Sequence, residues 1–202
     1  MAASLQRQWL ADALESAPSF VFLALLKTGV DLETAGWIGA GLAAAVLLGF
    51  RALRLRFNPI LLGINVHLLL VTPVIVAVFW LGAARLGDTL TRYSYEGVLL
   101  TILVTGAALT LLSEEGFMGE PGLPASSVRP YSAVLLLAAL AGLLWALFQG
   151  GSALTGVGLP IVALFALRRF LLARSLDGSG LGGVAVAGGA ASFTGGSDGE
   201  AG

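Results

Sequence analysis

Between Pro18 and Leu172 the chain is a succession of apolar segments separated by short loops that carry most of its charge. That pattern leaves few architectures open. In hydrocarbon every backbone N–H and C=O must find its partner within the protein, so only helices and closed barrels span a bilayer. These segments are rich in Leu, Ala and Gly and lack the alternating pattern of barrel strands. Charged residues make up 11% of the chain and hydrophobic residues 57%, against roughly 25% charged in soluble domains. The expected fold is therefore all-α, a polytopic helical membrane protein.

Without cysteine, disulfides, thiol redox chemistry and thiolate metal sites are excluded. The net charge of −1, spread over short loops, provides no basic surface for nucleic acid. Partners are expected among membrane lipids, other membrane proteins or further copies of the chain.

In residues 1–17, Leu5, Trp9, Leu10, Ala13, Leu14 and Ala17 share one helical face, with Gln6, Arg7, Gln8, Asp12 and Glu15 mostly opposite. This reads as an amphipathic helix lying in the membrane interface. A signal peptide competes with that reading, but the residues before the apolar run carry more acid than base, and no small-residue cleavage site ends the run.

About six spans follow, at 18–32, 35–50, 59–84, 97–113, 131–149 and 153–172, with a Gly-rich disordered tail over 173–202. The first is short against the ~20 residues of a full crossing and contains Lys27. If it is re-entrant, five remain. The second carries Gly41, Ala45 and Gly49 at four-residue spacing, which lets helix backbones approach closely and marks a buried packing helix. In the third, Asn58 suits an N-cap and Pro59 the first helical position. Pro73 removes the bond to the Leu69 carbonyl and is the natural kink. A Gly150-Gly151-Ser152 turn joins the last two spans as an antiparallel hairpin.

Placing both termini in the cytoplasm puts Arg7, Arg51, Arg54, Arg56, Arg129, Arg168, Arg169 and Arg174 inside, against Lys27, Arg85 and Arg92 outside. The positive-inside rule favours this orientation. Arg168 and Arg169 snorkel from the end of the sixth span.

The polar residues inside the spans are Asn65, His67, Thr72, Thr101 and Thr105. Asn65 and His67 stand about 200° apart on the helix wheel and cannot address one neighbour; Asn65 and Thr72 share a face. His67 as a proton relay needs a titratable partner, and apart from Asp31 at the end of the first, no Asp or Glu falls inside the expected spans. The simpler role is hydrogen bonding between helices, at ~0.6–2 kcal/mol per contact. A single histidine without cysteine supplies neither a zinc site nor a haem pocket within one chain, and no Gly-x-Ser-x-Gly elbow occurs. No cofactor, metal site or catalytic residue is assigned. The loop over 113–130 holds Glu114, Glu115 and Glu120; its Phe117 and Met118 are expected to dip into the headgroup layer.

Pro18, Phe20, Phe22, Lys27 and Gly29, followed by an Ala/Gly-rich span, together with Asn58-Pro59-Ile60-Leu61-Leu62-Gly63-Ile64-Asn65, resemble the bacterial intracellular septation protein A family over the N-terminal third. The resemblance implies an inner-membrane protein of envelope maintenance or division and carries over no catalytic residues. The expected function is non-enzymatic and structural, with a small transporter or channel subunit, its polar pathway around Asn65, His67 and Thr72, as the alternative.

Overall fold

The computed structural model describes residues 2–121, 123–149 and 153–189; over 2–12, 125, 153–154 and 176–189 it describes the helical backbone alone. Seven α-helices carry these residues, with no strand among them. They are α1 (Ala2–Lys27), α2 (Leu32–Ala52), α3 (Pro59–Trp80), α4 (Ala84–Arg92), α5 (Ser94–Leu112), α6 (Ala125–Phe148) and α7 (Leu159–Gly189). A 3-10 turn at Gly116–Met118 precedes α6, and a π-helical stretch at Ala153–Gly158 leads into α7.

Five segments are long and apolar enough to cross a membrane: Leu32–Ala52, Pro59–Trp80, Ser94–Leu112, Ser126–Phe148 and Thr155–Ser175. The outer surface of the bundle agrees with that setting. Leu137, Val162 and Leu48, on three different helices, are about two-thirds exposed, so the exterior is as apolar as the interior, which water would not tolerate over so wide a surface. These are the proportions of a helical membrane protein.

Local chemistry starts two of the helices. The Asp31 carboxylate accepts from the Thr34 amide at 2.8 Å and caps α2. Asn58 Oδ1 accepts from the Ile60 amide at 3.2 Å, with Pro59 in the first turn of α3. Bonds from the Thr34 amide, then its hydroxyl, hold the exposed Asp31 carboxyl below its ordinary value of 3.8. A carboxyl whose pKa is depressed on folding stabilises above its unfolded pKa and loses that contribution as pH falls through the folded value. Stability is accordingly expected to be insensitive to Asp31 ionisation from neutral pH down to about pH 4 and to fall below it. In Asp31→Asn, which keeps an oxygen cap without the charge, that acid-side component of a thermal-melt pH profile should disappear.

Close approaches set the register. Phe22 of α1 lies over Gly39 of α2, and Gly36 of α2 over Thr72 of α3. Gly63 of α3 touches Ile102 of α5, and farther along α3 His67 touches Gly97, earlier in α5. Gly142 of α6 meets Pro160 of α7, and Trp145 Nε1 donates to the Thr155 carbonyl at 3.1 Å. Helices α2 and α5 thus run antiparallel to α3, and α6 and α7 form a hairpin. The central helix is α3, in contact with α1, α2, α4 and α5.

Several expected boundaries move. Residues 1–17 and 18–32 do not form two elements: α1 runs through Pro18 to Lys27, because the single bond that Pro18 cannot give the Leu14 carbonyl is outweighed by the helical residues on both sides of it. The third apolar run, expected to reach Ala84, ends at Trp80. Leu81 and the positive φ of Gly82 (74°) turn the chain into α4. The segment over 173–202 begins as the continuation of α7 to Gly189; its remainder, like the Gly150-Gly151-Ser152 turn, lies outside the described residues.

The connection after α5 departs most. Phe117 and Met118 do not reach a headgroup layer; both are fully buried. Their turn folds back between α3, α5 and α6. The Phe117 ring lies across Gly106, where a Cβ would stand 2.8 Å from three ring atoms, and the Phe117 amide donates to Ser132 Oγ at 3.0 Å. Gly116 and Gly119 hold the turn with φ of 57° and 60°, a region that glycine enters freely. Crowding by Ser132 Oγ at one and Pro59 at the other leaves no room for a side chain.

Candidate functional site

Two features gather the polar side chains. At the end of the bundle where α3 begins, α1 and α3 are bolted together through Glu15 and Asn65. Glu15 is 1% exposed; its Oε2 accepts from the Asn58 amide at 2.9 Å, and its carbonyl accepts from Asn65 Nδ2 at 2.8 Å. Asn65 is equally buried. Near this level Arg168 Nε donates to the Met118 carbonyl at 2.9 Å, so Arg168 is half-buried and anchors the folded-back turn where snorkelling was expected. Arg51, Arg54, Arg56 and Arg169 are exposed, with Arg54 at a positive φ of 53°.

The opposite end of the bundle, where α2, α5 and α7 begin, holds a cavity of about 280 Å³. Its walls are mainly apolar, from Phe22, Leu68, Val71, Val98 and Ile161, and its polar groups are few: Ser19, His67, Thr72, Ser94 and Tyr95. His67 and Thr72 are buried against α5 and α2 respectively, at Gly97 and Gly36. His67 bonds the backbone at Ser94 and Gly97, and Ser19 Oγ is buried without a hydrogen-bond partner. Val157 and Gly158 of the π-helical stretch complete one wall. Pro160 accounts for that stretch, since it has no N–H to return to the carbonyl of Gly156 and the chain widens there instead.

The expected polar pathway is not a single lining. His67 and Thr72 open on the cavity, but Asn65 faces α1. Thr101 Oγ1 is spent on its own helix, donating to the Gly97 and Val98 carbonyls at 3.1 and 2.8 Å, and Thr105 is half-buried away from the cavity. Pro73 sits inside α3 one turn beyond Leu69, and the helix continues past it to Trp80.

The expectation that acids stay out of the bundle is overturned. Glu96 lies in the first turn of α5, because that helix starts at Ser94 and not at Gly97, and its side chain is 4% exposed. Glu15 is drawn in because α1 continues along α3. An acid is best tolerated in a helix's first turn, where the dipole favours negative charge. The expectation for α2 is reversed as well. Its packing face is Ala35, Gly36, Gly39, Ala40 and Ala43, while Gly41 and Gly49 have no atom within 4 Å of where a Cβ would be, and Ala45 is exposed.

Among the described residues no group of three His, Asp, Glu or Cys side chains is placed to hold a metal. Comparison with protein families, with curated proteins and with solved structures finds no match to this chain.

Proposed function

We propose that the chain is a non-enzymatic, multi-pass protein of the cell inner membrane that acts through lateral helix packing, against a second copy or another membrane protein, in envelope maintenance or division. Both termini face the cytoplasm in this reading, with α1 as a sixth crossing beside the five more apolar ones. The observation that carries it is the outward stripe of Gly41, Ala45 and Gly49 on α2, open along its length. Lipid tails are as apolar as leucine, so helices associate in a bilayer through close backbone approach, which such a stripe permits.

The chain lacks cysteine, so Ala45→Cys introduces a single thiol at the stripe. Oxidative crosslinking in membranes is expected to yield a disulfide-linked dimer when the partner is a second copy, and a photoreactive residue at position 45 to capture the partner when it is another protein. Gly41→Leu with Gly49→Leu should abolish either product while leaving the thermal melt of the protomer unchanged, because no neighbour occupies those positions. Association that survives both substitutions would refute the reading.

The cavity at His67 and Thr72 favours a second reading, a small transporter or channel subunit. It requires His67→Ala to abolish a solute flux in proteoliposomes with assembly intact.

A further inference from the structure

We infer that the cavity among α1, α2, α3, α5 and the start of α7 is a binding site for an uncharged, single-chain amphiphile with a hydroxyl head, drawn from the membrane. The inference stands apart from the association proposed for α2, whose open stripe lies on another face of that helix.

Three observations fix the ligand's chemistry. The lining contains no charged side chain, so an ionic head would be buried without a counter-charge, which is heavily penalised. The polar groups it does contain are the hydroxyls of Ser19, Thr72, Ser94 and Tyr95 and the His67 imidazole. Each hydroxyl both donates and accepts, and a neutral imidazole does so through its two nitrogens, so a ligand hydroxyl is matched in both directions where a carbonyl is matched in one. Ser19 Oγ is buried and unpartnered, which leaves hydrogen-bonding capacity inside an otherwise apolar space. The volume of about 280 Å³ equals roughly nine water-sized groups at ~30 Å³ each. That accommodates a head and the first part of one chain, and it excludes the body of a two-chain phospholipid.

The site's construction favours a ligand over empty packing. α1 and α2 are joined to the rest of the bundle chiefly through α3, so the space above α3 at this end is a cleft between two helix groups. The π-helical Val157 and Gly158 form part of its wall; such segments are frequent at functional sites because the widened turn withdraws backbone from a space. An apolar pocket carrying a few convergent polar groups is the usual form of a small-molecule site.

The test uses the full chain in phosphatidylcholine nanodiscs and a long-chain fatty alcohol bearing a diazirine and an alkyne, with the matching alkyl trimethylammonium and alkane probes for comparison. The alcohol is expected to label α1, α3 and α5 around Ser19, His67 and Val98 saturably, and to be displaced by excess unlabelled alcohol. Val98→Phe, which fills the space, should reduce that labelling at least fivefold. Thr72→Val with Ser19→Ala, which removes hydroxyls with little change of volume, should erase the preference for alcohol over alkane even where Val98→Phe proves unstable. Gly41→Leu, on the outward stripe, should leave labelling unchanged. Labelling that is non-saturable and spread over the lipid-facing surface would overturn the site, and equal labelling of the cavity by the cationic or alkane probe would overturn the assigned head.

Discussion

Phe117→Ala is expected to lower stability by about 3–5 kcal/mol, the usual cost of emptying a fully buried phenylalanine site. For a chain of this length that corresponds to a fall in melting temperature of roughly 6–20 °C, measured on protein in detergent micelles. The size of the effect follows from where the ring sits. Phe117 is wholly buried on Gly106 of α5, its amide is tied to Ser132 of α6, and the neighbouring Met118 carbonyl receives Arg168 of α7. The turn thereby joins three helices, and the ring seats it on α5. Deleting it leaves a void that α5 cannot collapse into without breaking its packing against α3. Ser132→Ala should cost less, about 1–3 kcal/mol, since it orphans the Phe117 amide but keeps the ring. A loss below about 1 kcal/mol for Phe117→Ala would mean that the turn lies outside the bundle, where a surface substitution has little effect.

The second large effect is expected at Gly63. An added Cβ would stand 2.7 Å from Ile102 Cα and 3.2 Å from Ile102 N. Backbone in the middle of a packed helix cannot step aside as a flexible side chain can, so α3 and α5 must separate. Gly63→Ala should destabilise by about 1–3 kcal/mol, and Gly63→Leu should prevent recovery of folded protein. Ile102→Ala removes the Cγ1 atom, 2.9 Å from the added Cβ, and leaves the closer backbone of α5 where it was, so it should not rescue Gly63→Ala. Restored folding in that double variant would show that the side chain, not the helix axis, limits the approach. Gly41→Leu supplies the contrast, the same helical context with open space around it.

What could be read from the chain was local. Asn58 and Pro59 mark the start of α3 by the chemistry of unsatisfied first-turn amides, and the structure has α3 begin there. Periodicity separates Asn65 from His67, and the structure directs one to α1 and the other to α5. The turn at Phe117 was not legible, because its apolar pair reads the same whether it enters lipid or protein. Only Gly116 and Gly119, spaced to bracket it, hinted that the chain doubles back. The burial of Glu15 was not legible either, because an amphipathic pattern gives a face its polarity without saying which neighbour covers the polar side. Here Asn58, the cap of α3, and Asn65 within that helix receive it.

The sequence by itself determined that the chain is helical, apolar enough to cross a membrane, and without cysteine for disulfides or thiolate ligands, since backbone satisfaction in hydrocarbon and composition act on every residue alike. Only the tertiary structure decided which face of each helix is inside. In a water-soluble bundle the hydrophobic stripe names the buried face. In a chain whose lipid-facing side is as apolar as its core, that contrast vanishes, and the choice falls to close packing. Gly36 and Gly39 therefore turn inward while Gly41 and Gly49, on the same helix and of the same composition, are left open to whatever the protein meets in the membrane.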